Sequence, residues 1–403
     1  MAQINPVRNT KALGEENKIS NGVNHIFIIC GEPSGDLHAG NLAKKILEIN
    51  PNIKISGVGG TCMREAGAKI YGNIKDLAVI GLFDVLKKLP KFFSLQRLIL
   101  EKIKAEKPDA IILVDFSGFN LRLARKINKT LPVIYYVSPQ VWASRPGRVK
   151  TIKEYIHKMI VLFKFEEEFY KRYGINATFI GHPLLDIVAP TMDGKEFLNK
   201  SGLLESKTTI VLLPGSRKQE IKNILPVMLE ASILINKNMA NVQFVIAKSP
   251  QVDLDIYNRI ISESFTDLKI IEGKTYDCLN IADFCLVASG TATLETAIMQ
   301  RPMAIIYKMN LLNYFLYRPM VRLPYIGMVN IVAGEKIVPE FIQFGAHPKK
   351  ISEQVLEILQ NPTRTEQMKD GLALVKSLLG EKGASLRAAQ IIIDFLNSEG
   401  TSF

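Results

Sequence analysis

The strongest constraint on the fold is the alternation of short apolar runs with segments of helical periodicity. The first run, Ile26–Cys30, is followed by a glycine-rich turn and by a helical pattern from about Leu37 to Asn50. Continuous apolar runs of this length are typical of parallel strands that are covered on both faces. Because helices lie between them, the sequence predicts βαβ units and an α/β fold with doubly wound parallel sheets.

The apolar runs fall into two series, and a chain of 403 residues exceeds the usual size of a single core. The first series continues with the predicted strands Ile53–Val58, Ala110–Val114, Val133–Val137, Lys158–Leu162 and Ala177–Ile180. The second comprises Thr209–Leu213, Gln243–Ala247, Leu268–Ile271, Phe284–Val287 and Met303–Tyr307, with helices predicted over Glu220–Lys237 and within Ile351–Asn397.

Two Rossmann-like domains are therefore expected, over residues 25–190 and 191–403, after a flexible N-terminal extension of residues 1–24. The last helices are able to pack back on the first domain. Two such domains that face each other leave a central cleft at the carboxyl ends of their strands, where open α/β sheets bind ligands.

The chain is basic, with a formal net charge of +12. Such a charge favours nucleic acid, anionic lipid or phosphorylated substrates as partners, and a solvated basic surface is the alternative. No nucleic-acid module is recognisable, so nucleic acid is not expected. The four cysteines lack zinc-site spacing and the five histidines are scattered, so we expect no metal site and reduced thiols, as in the cytoplasm. No uncharged apolar stretch reaches the ~20 residues that a spanning helix needs.

Polar motifs follow the first and third predicted strands. Gly31–Asp36 contains glycines that let a ligand approach the backbone, and Ser34 or Asp36 either contacts substrate or caps the helix. The motif is not G-x-G-x-x-G, so no nicotinamide cofactor is expected. Asp115 ends a strand at the cleft edge, where a carboxylate takes a proton from an attacking hydroxyl or caps a helix.

Four further candidates line the first-domain side of the cleft: Asn120, Ser138, Arg145 and His182. A helix cap is the alternative for Asn120. Ser138 and Arg145 flank Trp142, the only tryptophan, and this mixture suits a sugar or a phosphate, with a packed loop as the alternative. A lone histidine such as His182 is more often structural than catalytic.

Two turns of the second domain predict an anion site. The first contains Gly215, Ser216 and Arg217, whose amides and planar guanidinium suit a phosphate; an N-capping turn is the alternative. The second turn opens a helix whose amides and dipole favour a diphosphate. Its candidates are Ser289, Gly290, Thr291, Ala292, Thr293 and Glu295. The Gly-Lys-Ser/Thr end of a P-loop is absent, so ATP hydrolysis is not expected.

Two other features complete the set of candidates. Asn330 follows a loop with proline and glycine, from which an amide can reach across a cleft or serve the loop itself. The stretch from Leu77 to Phe93 mixes apolar residues at helical spacing with lysines, which is typical of an interfacial segment on anionic lipid; a helix packed on the sheet is the alternative. Its predicted membrane contacts are Val79, Leu82, Phe83, Leu86, Lys87 and Lys88.

Taken together, the motifs resemble those of the lipid A disaccharide synthase family. The blocks that carry the resemblance are GEPSGDLHAG, GVGG followed by LAVIGLFDVL, VDFSGFNLRLA, YYVSPQVWA with RPGRVK, FIGHPLLD, LLPGSRKQEI, ASGTATLE and PYIGMVNIVAG. The resemblance extends from about Ile26 to the last helices. It implies the type B glycosyltransferase architecture, in which two Rossmann-like domains face each other, without a cofactor.

The resemblance also implies the reaction. This is an inverting, metal-independent transfer from UDP-2,3-diacylglucosamine to 2,3-diacylglucosamine 1-phosphate, giving lipid A disaccharide 1-phosphate and UDP. By this resemblance, Asp115 is the general base for the acceptor's 6-hydroxyl. Arg217 and the Ser289–Thr293 turn form the diphosphate site. Glu295 binds the ribose, and Asn330 lies near the donor. The implied location is cytoplasmic and peripheral, on the inner membrane of a Gram-negative-type bacterium, and a homodimer is a further expectation.

The chain departs from the family pattern at two positions. Gly118 stands where some members carry a second aspartate, so Asp115 has to act alone as the base. Ser144 stands where a second tryptophan is frequent, which changes the contacts expected of this loop. The alternatives are a UDP-sugar epimerase of the same fold and an inactive UDP-lipid binding protein. The presence of Asp115, Arg217 and Glu295 argues against the inactive protein.

Overall fold

Two fully parallel sheets, one in each half of the chain, organise the computed structural model. It describes residues 23–73, 82–127, 131–144, 146–261, 268–311, 314–315 and 323–399, with the backbone alone for 82–89 and 399. The strands of the first sheet are β1 (His25–Ile29), β2 (Lys54–Gly59), β3 (Lys69–Asn73), β4 (Ala110–Val114), β5 (Val133–Tyr136), β6 (Lys158–Val161) and β7 (Ala177–Phe179). Their spatial order is β3-β2-β1-β4-β5-β6-β7.

The second sheet repeats this arrangement. Its strands are β8 (Thr208–Leu213), β9 (Val242–Lys248), β10 (Leu268–Glu272), β11 (Phe284–Ala288), β12 (Met303–Tyr307) and β13 (Glu340–Ile342), in the order β10-β9-β8-β11-β12-β13. The central strands β1, β4, β8 and β11 are almost wholly buried because helices cover both faces. The predicted α/β fold with doubly wound parallel sheets is confirmed.

Helices connect the strands on both faces of each sheet. Those of the first half are α1 (Pro33–Ile49), α2 (Thr61–Glu65), α3 (Leu82–Glu106), α4 (Ser117–Ile127), α5 (Val141–Ser144), α6 (Val149–Tyr155), α7 (Lys164–Lys171) and α8 (Leu184–Ile187). Those of the second half are α9 (Gly194–Ser201), α10 (Lys218–Asn238), α11 (Leu254–Asn258), α12 (Thr275–Asn280), α13 (Thr291–Ile298), α14 (Met328–Ala333), α15 (Pro348–Leu359), α16 (Pro362–Leu378) and α17 (Ala384–Glu399). Among the described residues, none of these helices has both the length and the apolarity needed to cross a membrane.

The sequence-based strand bounds differ from the observed ones by at most one residue at either end, and two edge strands are additional. The strand β3 has no continuous apolar run, and its residues are only half-buried. The strand β13 has three residues. Neither has an apolar run like those that predicted the other strands, because β3 contains lysine, glycine and asparagine and β13 is short.

Each sheet has one point at which the order of its strands reverses, between β1 and β4 in the first and between β8 and β11 in the second. Open α/β sheets bind ligands outside the carboxyl ends of the strands at this point. The strands β1 and β4 lead into Gly31 and Asp115, and β8 and β11 lead into Pro214 and Ser289. The four motifs therefore occupy the four positions where this topology places a ligand.

The chain passes between the two halves twice. After the first passage, the Thr191 amide and hydroxyl donate to the Asp277 carboxylate at 2.6 and 2.7 Å. After the second passage, α17 packs against α1 of the first half, and Arg387 Nε donates to the carbonyl of Ile180 at 2.8 Å. The C-terminal helix thus belongs to the packing of the first sheet.

Candidate active site

Asp115 is held at the end of β4 by a tight turn. Asp115 and Phe116 both adopt positive φ angles, 47° and 45°, which are uncommon for residues other than glycine. The Asn120 amide donates to the carbonyls of Val114 at 3.2 Å and Asp115 at 2.9 Å, and the Tyr135 hydroxyl donates to the carbonyl of Asp115. These bonds engage the backbone of the turn, and the Asp115 carboxylate takes part in none of them.

The surroundings of Asp115 favour its protonated form more than water does. The pKa of Asp115 is raised from 3.8 to about 6, mainly by burial and also by the charge of Glu32, against the opposing effect of a hydrogen bond from the Phe116 amide. The side chain remains partly accessible. A carboxylate with this pKa is a stronger base than an ordinary aspartate and is still largely ionised at neutral pH.

Glycines shape the first-half side of the cleft. A Cβ atom at Gly31 would lie 2.3 Å from the ring of Phe116, and one at Gly35 would lie 3.7 Å from the Cβ of Asp115. The Phe116 ring therefore needs a residue without a side chain at position 31. The exposed Ser34 lies between these glycines, in the first turn of α1.

Arg217 stands at the carboxyl end of β8, directly before α10. Its guanidinium Nη1 lies 3.1 Å from Glu220 Oε1, and more than half of its side chain is exposed. The other oxygen of Glu220 accepts the amides of Ser216 at 3.2 Å and Arg217 at 3.3 Å. Gly215 has a φ of 111°, and a Cβ there would lie 2.6 Å from Glu220. The Ser216 amide, which was predicted to bind a phosphate, thus binds Glu220, and the half-exposed guanidinium of Arg217 is the cationic group that this turn presents.

The two sides of the cleft meet at Glu32 and Arg217. Arg217 Nη2 lies 4.0 Å from Glu32 Oε2, and both side chains are about half-exposed. Because the charge of Glu32 also raises the pKa of Asp115, Asp115 in the first half and Arg217 in the second are connected electrostatically through one side chain.

The turn after β11 presents the start of α13 to solvent. Gly290 and Thr291 are exposed, and a Cβ at Gly290 would meet no atom within 4 Å. The first amides of α13, those of Thr291 and Ala292, have no intrahelical acceptor, and no described residue accepts from them. Thr293 is buried and its hydroxyl donates to the Gly290 carbonyl at 2.8 Å, which caps the turn. The helix start therefore has the free amides that an anion site requires.

Ser289 and Glu295 border this site. The Ser289 hydroxyl donates to the carbonyl of Ile326 at 3.4 Å. Glu295 accepts the Tyr276 hydroxyl at 3.0 Å through one oxygen, and no described residue donates to the other. Burial raises the pKa of Glu295, and the hydrogen bond from Tyr276 lowers it. One carboxylate oxygen is thus available to accept a hydroxyl of a ligand.

Three of the predicted site residues form hydrogen bonds with groups of the protein itself. The buried Asp36 accepts the amides of Gly60, Cys62 and Met63 at 2.6, 2.9 and 3.3 Å, and so caps α2. Asn120 holds the turn at Asp115, as described above. Asn330 donates to Val338 and Glu340 and accepts the amides of Ile337 and Val338, all within 3.0 Å. The contacts of Asn330 are those of its own loop, as in the structural alternative. Asp36 caps α2 and not the helix that it belongs to, and Asn120 binds the carbonyls of a turn and caps no helix.

Ser138 is also buried, and its partner is Glu166. The Ser138 hydroxyl donates to Glu166 Oε1 at 2.6 Å and the indole of Trp142 donates to the same oxygen at 3.0 Å. The other oxygen accepts the amides of Leu162 and Phe163 at 3.3 Å. Burial raises the pKa of Glu166 to about 7 against the effect of these bonds. Glu166 thus ties the loop after β5 to the end of β6.

His182 is a structural histidine. It is buried, its Nδ1 accepts the Leu184 amide at 3.2 Å, and its ring centroid lies 5.1 Å from that of Phe163. Burial lowers the pKa of His182 to about 3, with a contribution from His38, so the ring is neutral at physiological pH.

Some predicted residues lie outside what the structure describes. Arg145 and Val79 are outside the described residues. For Leu82, Phe83, Leu86, Lys87 and Lys88 the backbone forms the start of α3, and their side chains are outside the description. In the described part of the chain, no three His, Cys, Asp or Glu side chains are grouped as metal ligands.

Sequence reasoning missed Glu32, Glu166 and Tyr276. Glu32 occupies the position before α1, where Ser, Thr, Asp and Asn are preferred, and its side chain makes no capping bond. A glutamate at that position within a cleft motif was a usable signal. Glu166 precedes the buried Tyr170 by four residues, so both lie on the same helix face, which distinguishes it from Glu167 and Glu168.

Comparison with known proteins identifies what this cleft is similar to. The family model for lipid-A-disaccharide synthetase matches residues 26–393. A lipid-A-disaccharide synthase from Syntrophus aciditrophicus (strain SB) is 39% identical over 373 residues, which cover 92% of this chain and 97% of the relative.

Two solved structures have the same fold at low sequence identity. A calicheamicin glycosyltransferase superposes with a TM-score of 0.59 at 14% identity, covering 93% of this chain and 98% of its own. The UDP-GlcNAc 2-epimerase from Neisseria meningitidis, bound to UDP-GlcNAc, superposes with a TM-score of 0.57 at 12% identity, covering 93% and 99%. At these identities the likeness is one of architecture, so the epimerase alternative has no support beyond the shared fold.

Proposed function

This chain belongs to the lipid-A-disaccharide synthase family and is a glycosyltransferase, and we propose that Asp115 is the general base of its reaction. The acceptor is 2,3-diacylglucosamine 1-phosphate, and its 6-hydroxyl gives its proton to the Asp115 carboxylate. The rise in the pKa of Asp115 makes the carboxylate a better proton acceptor at neutral pH.

The departing group is UDP. The acceptor oxygen forms a bond to C1 of the donor sugar on the face opposite the diphosphate, the bond from C1 to the diphosphate oxygen breaks with its electron pair, and the configuration inverts. The Arg217 guanidinium and the exposed amides at the start of α13 stabilise the charge that develops on the diphosphate. Glu295 accepts a ribose hydroxyl through the oxygen that Tyr276 leaves unused.

The observation that carries this proposal is the placement of a base and an anion site on opposite sides of one cleft. Asp115 ends a strand at the switch point of the first sheet, and Arg217 and α13 follow strands at the switch point of the second. The 4.0 Å approach of Glu32 to Arg217 supports the view that the two sides face each other.

The test is product formation by full-length protein with UDP-2,3-diacylglucosamine and 2,3-diacylglucosamine 1-phosphate, measured by mass spectrometry. Wild-type protein is expected to give the disaccharide 1-phosphate and UDP. Asp115→Asn is expected to reduce kcat at least ~100-fold without weakening UDP binding. Asp370→Asn removes the same charge from an exposed position on α16 and is the control.

Two outcomes contradict the proposal. Near-normal turnover by Asp115→Asn would show that another group accepts the proton. Conversion of UDP-N-acetylglucosamine to an epimer, without any disaccharide from the lipid substrates, would favour the epimerase alternative instead.

We also propose that the enzyme works at an anionic membrane surface, on the cytoplasmic side of the inner membrane of a Gram-negative-type bacterium. A groove of about 360 Å³ between α3 and α4 has apolar residues, Phe93 and Leu100, beside the basic residues Arg97, Lys104 and Lys126. Phe93 is 56% exposed. Apolar and basic side chains side by side are typical of a surface that meets lipid headgroups.

The membrane proposal predicts that the protein sediments with phosphatidylglycerol vesicles and not with phosphatidylcholine vesicles. Replacing Lys104 and Lys126 by glutamate should weaken this binding, and equal sedimentation with both lipids would contradict it. The proposed homodimer and the independence from metal rest on the resemblance alone and stay predictions.

A further inference from the structure

Among the described residues, the one ion-pair partner of the Glu32 side chain is Arg217, and Glu32 does not cap the helix that follows it. Its neighbours fix its backbone, because Gly31 makes room for Phe116 and Pro33 starts α1 with a preset φ angle. The glutamate has extended backbone angles, φ −134° and ψ 157°, and makes no capping bond, although the position before a helix usually holds a capping residue. About half of the side chain is exposed, at the edge of the cleft.

Arg217 has a carboxylate from each side of the cleft. Glu220, from its own helix, lies at 3.1 Å, and Glu32, from the other half, lies at 4.0 Å. An exposed ion pair at 4.0 Å is weak, and a diphosphate offers a guanidinium two charge-assisted hydrogen bonds. Of the two carboxylates, Glu32 is the one that a diphosphate displaces, because Glu220 is also bound to the amides of Ser216 and Arg217.

We propose that Glu32 is a positioning residue that occupies Arg217 in the absence of donor and, when the donor diphosphate displaces it, increases the basicity of Asp115. This inference rests on the proposed function of Asp115 and Arg217. The coupling requires no change of fold, since Glu32 lies 4.0 Å from Arg217 and its charge already raises the pKa of Asp115.

The direction of the coupling follows from the charges around Asp115. Glu32 approaches from the turn before α1, the Cys30 thiol from the end of β1, and the Tyr135 phenol from β5, while Arg148 acts on Tyr135 from the 3₁₀ turn before α6. Glu32 is the charged member that has a cation partner in the other half. When that cation binds phosphate, the negative charge of Glu32 is no longer balanced, and Asp115 holds a proton more strongly.

Two measurements on Glu32→Gln test the inference. Calorimetric titration with UDP should give a two- to fivefold lower Kd than wild type, because the competing carboxylate is removed; the size is that of an exposed ion pair. The acid limb of kcat against pH, at saturating donor, should move to lower pH, because the pKa of Asp115 falls when the nearby charge is removed.

The controls separate coupling from general charge effects. Glu65→Gln removes the same charge from an exposed site on α2 and should change neither quantity. In an Arg217→Ala background, Glu32→Gln should no longer tighten UDP binding, which isolates the pairwise contribution. Circular dichroism of each variant verifies the fold.

Weaker UDP binding by Glu32→Gln, or the same tightening with and without Arg217, would overturn the proposed displacement. An acid limb that does not move would overturn the coupling to Asp115. The UDP titration needs no turnover, so it tests the competition between Glu32 and UDP for Arg217 even if no disaccharide forms. If the disaccharide forms and Glu32→Gln leaves the UDP titration unchanged, the proposed role of Glu32 is wrong and the proposed function still stands.

Discussion

Replacing Asp115 by asparagine should stabilise the fold while it removes activity. The folded-state pKa of about 6 exceeds the ordinary value of 3.8 by about two units. At 1.36 kcal/mol per unit, the ionised carboxylate costs about 3 kcal/mol of unfolding free energy at pH 8. Asparagine of the same shape carries no charge, so the variant avoids this cost.

The sign of the pH dependence follows from the raised pKa. Below pH 3.8 both the folded and the unfolded protein hold the proton, and the aspartate costs nothing. As pH rises towards 6 the unfolded chain loses its proton first, so wild-type stability falls relative to the variant and then reaches a plateau. The advantage of Asp115→Asn should be about 3 kcal/mol at pH 8 and about half of that at pH 5.

Urea unfolding followed by tryptophan fluorescence measures this difference. Trp142 is the only tryptophan and lies in the same half as Asp115, so its signal reports on the relevant sheet. The midpoint difference multiplied by the measured m value gives the free energy. Asp370→Asn is the matched control. An Asp115→Asn protein that is no more stable than wild type at pH 8, or an advantage that does not shrink at pH 5, would refute the argument.

Three further substitutions test the surroundings of the cleft. Gly31→Ala should lower kcat roughly tenfold or more with unchanged UDP affinity, because the new Cβ would lie 2.3 Å from the Phe116 ring beside the base; full turnover would contradict this. Glu166→Gln should lower the free energy of unfolding by about 1–3 kcal/mol, because the amide places N–H groups against donors such as Ser138, and an unchanged urea midpoint would argue otherwise. Glu295→Ala should raise the donor KM roughly tenfold with little change in kcat, and steady-state kinetics with an unchanged KM would remove Glu295 from the donor site.

The fold was predictable from the sequence because buried parallel strands must be apolar throughout. Runs such as Ala110–Val114 and Met303–Tyr307 have the predicted bounds. The strands β3 and β13 were missed because none of their residues is fully buried and neither has a comparable apolar run. A strand that is covered on both faces has a continuous apolar sequence, and a strand that is less covered has a weaker apolar pattern.

The candidate site was less predictable, since the role of a polar side chain depends on distant backbone. Asp36 accepts hydrogen bonds from amides 24 to 27 residues away, and Asn330 forms hydrogen bonds with residues 7 to 10 positions further along the chain. No local sequence pattern distinguishes such a structural side chain from one that binds a ligand. Asp115 was placed correctly at the end of a strand, whereas its turn with two positive φ angles was not predicted.

The two passages of the chain between the halves have a consequence for domain motion. They run side by side, with the His182 amide donating to the Leu379 carbonyl at 2.8 Å and the Gly383 amide donating to Asp186 at 2.7 Å. Two adjacent connections define a single axis, and rotation about that axis is the one relative movement that stretches neither of them. Opening for substrate entry and closing for transfer are therefore expected to follow one angular path, with the largest displacement at the rim farthest from these connections.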